Sequence, residues 1–125
     1  MDWDEFTERS LHAPIQLWNQ WKQFKKMKLK SYKKDLLREL KDPEYASAYL
    51  VQALESEDQA TFLLALRDVV EAGGGASAVA RQAHIQRESL YKALSVRGNP
   101  RLTTLRGILK SVGLRIAVTP ETESA

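Results

Sequence analysis

Apolar residues recur at three- and four-residue intervals along most of this chain, the period of helices with one buried face. Asp42-Pro43-Glu44 has the composition of a helix start: a capping carboxylate, a proline where no N–H is needed, and an acid near the positive dipole end. The helix it opens spans about 43–55, with Ala46, Leu50, Ala53 and Leu54 on one face. Ser56-Glu57-Asp58-Gln59 fits a capping box, with Ser56 and Gln59 three apart. The helix that follows carries Phe62, Leu63, Leu66, Val69 and Val70 inward, and Gly73-Gly74-Gly75 ends it. Two short helices come next, about 77–83 and 87–95, then a Gly98-Asn99-Pro100 loop. A further helix over about 103–112 has Leu105, Ile108, Leu109 and Val112 in register. Gly107 inside it costs about 1 kcal/mol relative to alanine, which predicts a close packing contact there. Leu114-Arg115-Ile116-Ala117-Val118 alternates like a strand, and the chain beyond Pro120 has no pattern.

Residues 1–26 follow a different plan. All three tryptophans (Trp3, Trp18 and Trp21) lie there, and Pro14 divides the segment. Ile15, Trp18, Trp21 and Phe24 make an aromatic stripe on a helical wheel, suited first to core or dimer packing, with a partner groove or a membrane surface as the alternatives. Met27 opens MKLKSYKKDLL, which has the composition of a natural protein start. The predicted organisation is an N-terminal helical extension over 1–27, a helical domain over 28–119, and a flexible tail over 120–125.

The two short helices raise a chemical question. On helical wheels Val79, Ala80 and Ala83 of the first and Leu90, Ala93 and Leu94 of the second face inward, with Ile85 filling the turn. That leaves Gln86, Arg87, Glu88, Ser89, Tyr91 and Lys92 outside, concentrated at the start of the second helix. Two short helices, a tight turn and a polar leading edge are the pattern of a helix-turn-helix, here about 77–95. The second helix of such a motif presents its N-terminal side chains to the major groove. Arg matches guanine, Gln adenine and Glu cytosine, while Lys reaches guanine or phosphate. Arg81, Arg97, Arg101 and Arg106 flank the motif and suit phosphates. A helical hairpin also shows a polar outside to plain solvent, so periodicity alone leaves both readings open.

Charge changes the balance. The 125 residues carry a net charge of +3, but in blocks. Between Lys22 and Lys41 nine basic residues face Asp35 and Glu39; between Pro43 and Glu71 six acids face Arg67. From Ala72 to Thr119 eight basic residues face Glu88 alone, and this basic block holds the two short helices. Such asymmetry points to different partners for different surfaces. With no cysteine, disulfide stapling and thiolate metal sites are excluded. The acidic start, Met1 to Glu5, lacks the apolar core of a secretory signal, and no segment reaches the length of a bilayer span. A soluble cytoplasmic protein without membrane association is the expectation.

The stretches "LKDPEYASAYLVQAL" (40–54), "FLLALRDVVEA" (62–72), "RESLYKALS" (87–95), "GNPRLTTLRGILKSVGL" (98–114) and the closing "RIAV" resemble the HigA-type addiction-module antidotes. These are small antitoxins with a Cro/repressor-like (XRE-type) helix-turn-helix. The resemblance covers about Lys28 to Val118. It implies an all-α, Cro/repressor-like helix-turn-helix bundle with a short C-terminal strand. It implies a homodimeric DNA-binding antitoxin that neutralises a RelE/HigB-type ribonuclease toxin and represses its own operon at an inverted-repeat operator in double-stranded DNA. Carried over position by position, it directs Arg87, Glu88 and Lys92 toward base edges. Ser77, Gln86, Tyr91 and Asn99 then lie near phosphates, with Arg97 and Arg101 beside them. Two positions depart from the family pattern. His84 stands where glycine is usual in the turn, and Gln86 where Ser or Thr caps the second helix. A stand-alone repressor without a toxin and a protein-interaction adaptor without DNA binding are the alternatives.

A ribonuclease must approach RNA, so the implied toxin is basic, and the acidic 43–71 segment has the complementary sign. Glu55, Glu57 and Asp58 are the candidate steering charges, and Tyr45 and Tyr49, one turn apart, the candidate apolar anchors. Enzymatic readings find little support. The triple glycine lacks the Gly-Lys-Ser/Thr of a phosphate-binding loop. His12 and His84 sit in unlike settings, which speaks against a metal or nucleophile–histidine site. The carboxylates read as caps and solvated faces. A protein with no catalytic residues, no cofactor and no metal is predicted.

Overall fold

The computed structural model describes residues 15–121, with side chains from Asn19 onward. The sequence features at Trp3, His12 and Pro14, the Trp18 side chain and the last four residues lie outside what it describes. The described residues form six helices: α1 (Ile15–Glu39), α2 (Pro43–Glu55), α3 (Gln59–Ala72), α4 (Ala76–Ala83), α5 (Arg87–Ala93) and α6 (Leu102–Ser111). They fall into two compact units divided between Leu36 and Leu37. The first holds most of α1, which runs unbroken past Met27. Along it Trp21 is half-buried while Phe24, Met27, Leu29 and Tyr32 are exposed.

The second unit holds α2 to α6. In it α2 packs on α3, α3 on α4, and α4 on both α5 and α6. Its core is wholly apolar among the described residues. The largest fully buried side chains are Leu63, Leu66 and Val69 of α3, Val79 of α4, Leu90 of α5 and Ile108 of α6. The start of α2 is as the sequence predicts: Asp42 Oδ1 accepts from the Glu44 N–H at 3.1 Å, with Pro43 in the first turn. Tyr49 Oη donates to Asp68 Oδ2 at 2.8 Å and ties α2 to α3.

Several sequence expectations are corrected. The capping box does not form, because Ser56 Oγ instead donates back to the Ala53 carbonyl at 2.7 Å and closes α2. Asp58 caps α3, accepting from the Ala60 N–H at 3.2 Å and from Thr61 Oγ1 at 3.1 Å. Gln59 Nε2 donates across the unit to the Gly98 carbonyl at 2.8 Å. Leu54, expected in the core, is 61% exposed, and Phe62 is half-buried. Gly107 has only ordinary contacts, with Ala83 at 3.5 Å from where a Cβ would lie, so the close approach is absent. Among the described residues no strand is present: 114–120 follows α6 without regular structure. A strand exists only through bonds to a neighbour, and alternation alone does not supply one.

Three of the helices end alike. At α3 the Gly75 N–H reaches the Val70 carbonyl at 3.0 Å and Gly74 N–H reaches Glu71 at 3.3 Å. At α4 Ile85 bonds Ala80 at 3.0 Å and His84 bonds Arg81 at 3.3 Å; at α6 Leu114 bonds Leu109 at 2.8 Å and Gly113 bonds Lys110 at 3.1 Å. Each is the paired bonding of a Schellman ending, which needs one residue at positive φ. Gly74 and Gly113 supply it twice, and His84, at φ 57° and ψ 41°, supplies it in the turn.

Candidate nucleic-acid interface

The turn 84–86 is short because the α4 ending folds the chain back within three residues, and Ile85, half-buried, plugs it. Leu90 then anchors α5 with no exposed surface, and Leu94 follows one turn later at 5%. Fixing that apolar side leaves Gln86, Arg87, Glu88, Ser89, Tyr91 and Lys92 exposed. Gln86 is the capping residue of α5 but makes no side-chain cap bond, so its amide remains available for contacts outward. Glu88 lies in the first turn, where a carboxylate favours the positive end of the helix.

Arg87 and Tyr91 act as a pair. Arg87 Nη2 donates to Tyr91 Oη at 3.2 Å, and the guanidinium lies 5.4 Å from the Tyr91 ring centre. The hydrogen bond to the Tyr91 hydroxyl, and then the charge that hydroxyl carries when ionised, raise the pKa of Arg87 above that of free arginine, with a smaller contribution from Glu88. Tyr91 also lines a cleft of about 240 Å³ with Arg67, Glu71, Gly75 and Ala76, which puts it beside the first turn of α4, where Ser77 is exposed. Arg87 is thus joined to Tyr91, and Tyr91 shares a cleft with Gly75 and Ala76 at the start of α4, the helix that carries exposed Ser77.

The remaining sequence candidates divide. Arg97 and Arg101 are exposed on the chain between α5 and α6, and Arg81 and Arg106 are exposed on α4 and α6. That chain is held rigidly: a Cβ on buried Gly98 would collide with the Ala93 carbonyl oxygen, and Gln59 binds the Gly98 carbonyl. Asn99 sits elsewhere. It lines a second groove, of about 380 Å³, together with Glu57 and Asp58. Two carboxylates beside it make poor surroundings for a phosphate.

The family described as "Probable addiction module antidote protein" matches residues 30–120. An uncharacterised protein of Haemophilus influenzae is 37% identical over 84 residues, covering 67% of this chain and 86% of its own length. The chain belongs to the addiction-module antidote family. No solved structure matches it significantly. Membership places the chain, at a coarse level, on the antitoxin side of a toxin–antitoxin module, with a toxin as its partner.

For an antidote the second groove acquires interest. Besides Glu57, Asp58 and Asn99 it is lined by Leu54, Phe62, Pro100 and Leu105, an apolar floor with an acidic rim. Sequence reasoning missed these four, because a helical wheel assigned Leu54, Phe62 and Leu105 to the core. No local signal separates them from core positions, because their cover depends on where neighbouring elements of the fold end. Tyr45 is exposed, whereas Tyr49 is half-buried and bonded to Asp68; Glu55 is exposed at the end of α2. No helix among the described residues is long and apolar enough to cross a membrane.

Proposed function

We propose that this antidote is a DNA-binding antitoxin whose α4–turn–α5 unit is a Cro/repressor-like helix-turn-helix. The observation that carries the reading is the first turn of α5. Gln86, Arg87, Glu88 and Ser89 are all exposed, while Leu90 directly behind them is fully buried and Leu94 nearly so. A rigid short helix with a polar leading end, in a chain segment of eight basic residues and one acid, suits the major groove. Arg87, Glu88 and Lys92 reach base edges, and Ser77, Gln86, Tyr91, Arg97 and Arg101 hold phosphates. The Arg87–Tyr91 contact restrains the guanidinium before DNA arrives, which lowers the ordering cost of binding.

The toxin is a basic RelE/HigB-type ribonuclease, and the acidic end of the α2–α3 hairpin receives it. Glu55, Glu57 and Asp58 steer the encounter, and Tyr45 with the floor of the Leu54–Phe62 groove supplies apolar anchorage. Tyr49 contributes by bracing α2 through Asp68. As a homodimer the antitoxin represses its own operon at an inverted repeat. Footprinting on the DNA upstream of its own reading frame tests this: protection of two symmetric half-sites, lost with Arg87→Ala, is the expected result. Uniform weak binding to all sequences would leave the helix-turn-helix reading without support.

A further inference from the structure

Helix α1 carries a charge pattern that the operator and toxin readings do not use. Between Lys22 and Lys34 it holds seven lysines (22, 25, 26, 28, 30, 33 and 34) and no acid. All seven are exposed. Lys22, Lys26, Lys30 and Lys34 are four residues apart, so they form one slowly winding ridge, with about 6 Å of axial rise per step. Solvated helix faces ordinarily alternate in sign, because like charges at this spacing repel and opposite ones attract. A ridge of one sign is unfavourable alone and is relieved by a linear polyanion.

Two polyanionic surfaces fit a basic helix with aromatic residues, and the aromatic flank separates them. A membrane-surface helix keeps its cations apart from the face it inserts. Here Lys25 Nζ lies 5.3 Å from the Trp21 ring centre and Lys28 Nζ lies 5.6 Å from that of Phe24. An ammonium group therefore stands beside each of these two rings, which opposes insertion into lipid. It also engages one face of each ring that a single-stranded nucleic acid would use for stacking, while Phe24 and Tyr32 stay exposed. What remains is a row of lysines for a duplex backbone, which presents one charge per about 1.7 Å of its axis.

We propose that the α1 lysine ridge is a sequence-independent duplex-DNA clamp, a second nucleic-acid surface separate from α5. The inference rests on the DNA-binding reading for its choice of duplex. Lys22 to Lys28 precede the family match, which begins at residue 30, so this surface extends beyond the part of the chain on which family membership stands.

The test uses the full-length chain with Lys26, Lys30 and Lys34 all changed to glutamine, which keeps helix propensity close to that of lysine. A second variant changes the same three to arginine. Affinity for a random-sequence 30-base-pair duplex is measured by fluorescence anisotropy across a potassium chloride series. Circular dichroism checks that the helix persists. Three lost phosphate contacts lower the log–log salt slope by about two to three. The arginine variant keeps the wild-type slope, and the ratio of operator to random affinity stays constant in both. An unchanged slope in a folded glutamine variant overturns the proposal. So does tighter wild-type binding to single-stranded RNA than to the duplex. So too does a glutamine variant that loses binding to phosphatidylserine vesicles while keeping its duplex affinity. If the slope responds but no sequence is preferred over random DNA, the clamp stands and the helix-turn-helix reading falls. If operator preference persists with an unchanged slope, the reverse holds.

Discussion

In the proposed reading, Arg87 is the side chain that joins local structure to recognition. It is placed by Leu90 behind it and aimed by Tyr91 one turn on. Arg87→Ala is expected to weaken operator binding about ten- to a hundredfold and relax preference at one base pair. Arg101→Ala is expected to weaken all duplexes alike and flatten the salt dependence. Equal losses on operator and random DNA for Arg87→Ala would remove it from the base-reading edge. His84 invites a stability measurement at the same scale. It holds the positive-φ place that Gly74 and Gly113 hold at the other two Schellman endings. His84→Gly relieves αL strain of about 1–2 kcal/mol and loses about 0.5–1 kcal/mol through chain entropy. A small rise in the denaturant midpoint is therefore expected. Gly107→Ala, whose new methyl would meet Ala83 at an ordinary contact distance of 3.5 Å, should stabilise α6 by up to about 1 kcal/mol. A fall in the midpoint for Gly107→Ala would mean that α4 and α6 lie closer at Ala83 than this distance allows.

At the scale of elements, the α2–α3 hairpin is the antidote's candidate toxin-binding edge. Asp58 has two tasks there, capping α3 and contributing negative charge, so a lysine at 58 would confuse folding with binding. Glu55→Lys and Glu57→Lys combined with Asp58→Asn separate them, since asparagine caps about as well as aspartate. Stopped-flow association with the toxin should slow strongly at low salt and little at high salt, while operator binding persists. Rates that ignore the change at low salt would move the toxin interface off this edge. The groove between the hairpin and Pro100 adds an apolar measure: Leu54→Ser should speed toxin dissociation with little effect on folding, because Leu54 is already mostly exposed.

For the molecule as a whole, the proposed DNA-binding reading gives seven-residue α5 too few base pairs for a useful operator, so it requires two copies. A two-fold dimer over half-sites about 34 Å apart, one helical turn, is the expected assembly. The irregular 114–118 segment, with Ile116 partly and Val118 almost fully exposed, is the candidate seam; pairing with its counterpart would complete the missing strand. Light scattering should find a dimer at micromolar concentration. A monomer that footprints one half-site would refute that assembly. Deleting residues 1–26 is expected to leave the cooperative melting of the 37–125 unit intact, since that unit has its own apolar core. Loss of cooperativity would show that the extension completes that core.

The order and type of α2 to α6, with the start of α2 and the end of α3, were legible from residues alone. Asp42-Pro43, the triple glycine and the period of Leu63, Leu66, Val69 and Val70 act within one or two turns, and local capping and burial patterns need no distant partner. The polar edge of α5 was legible for the same reason: Leu90 and Leu94 assign its inner face. Only the tertiary structure decided which apolar residues find cover. Leu54, Phe62 and Leu105 belong to helix faces that the wheel calls buried, yet the bundle ends beside them and leaves a groove. It also decided where long polar side chains go. Gln59 crosses to Gly98 and Tyr49 to Asp68, bonds over 39 and 19 residues of sequence that no local pattern contains. The absent strand follows the same logic. Alternation in 114–118 prepares two faces, but a strand is a relation between two segments, and the described residues offer no partner segment for it.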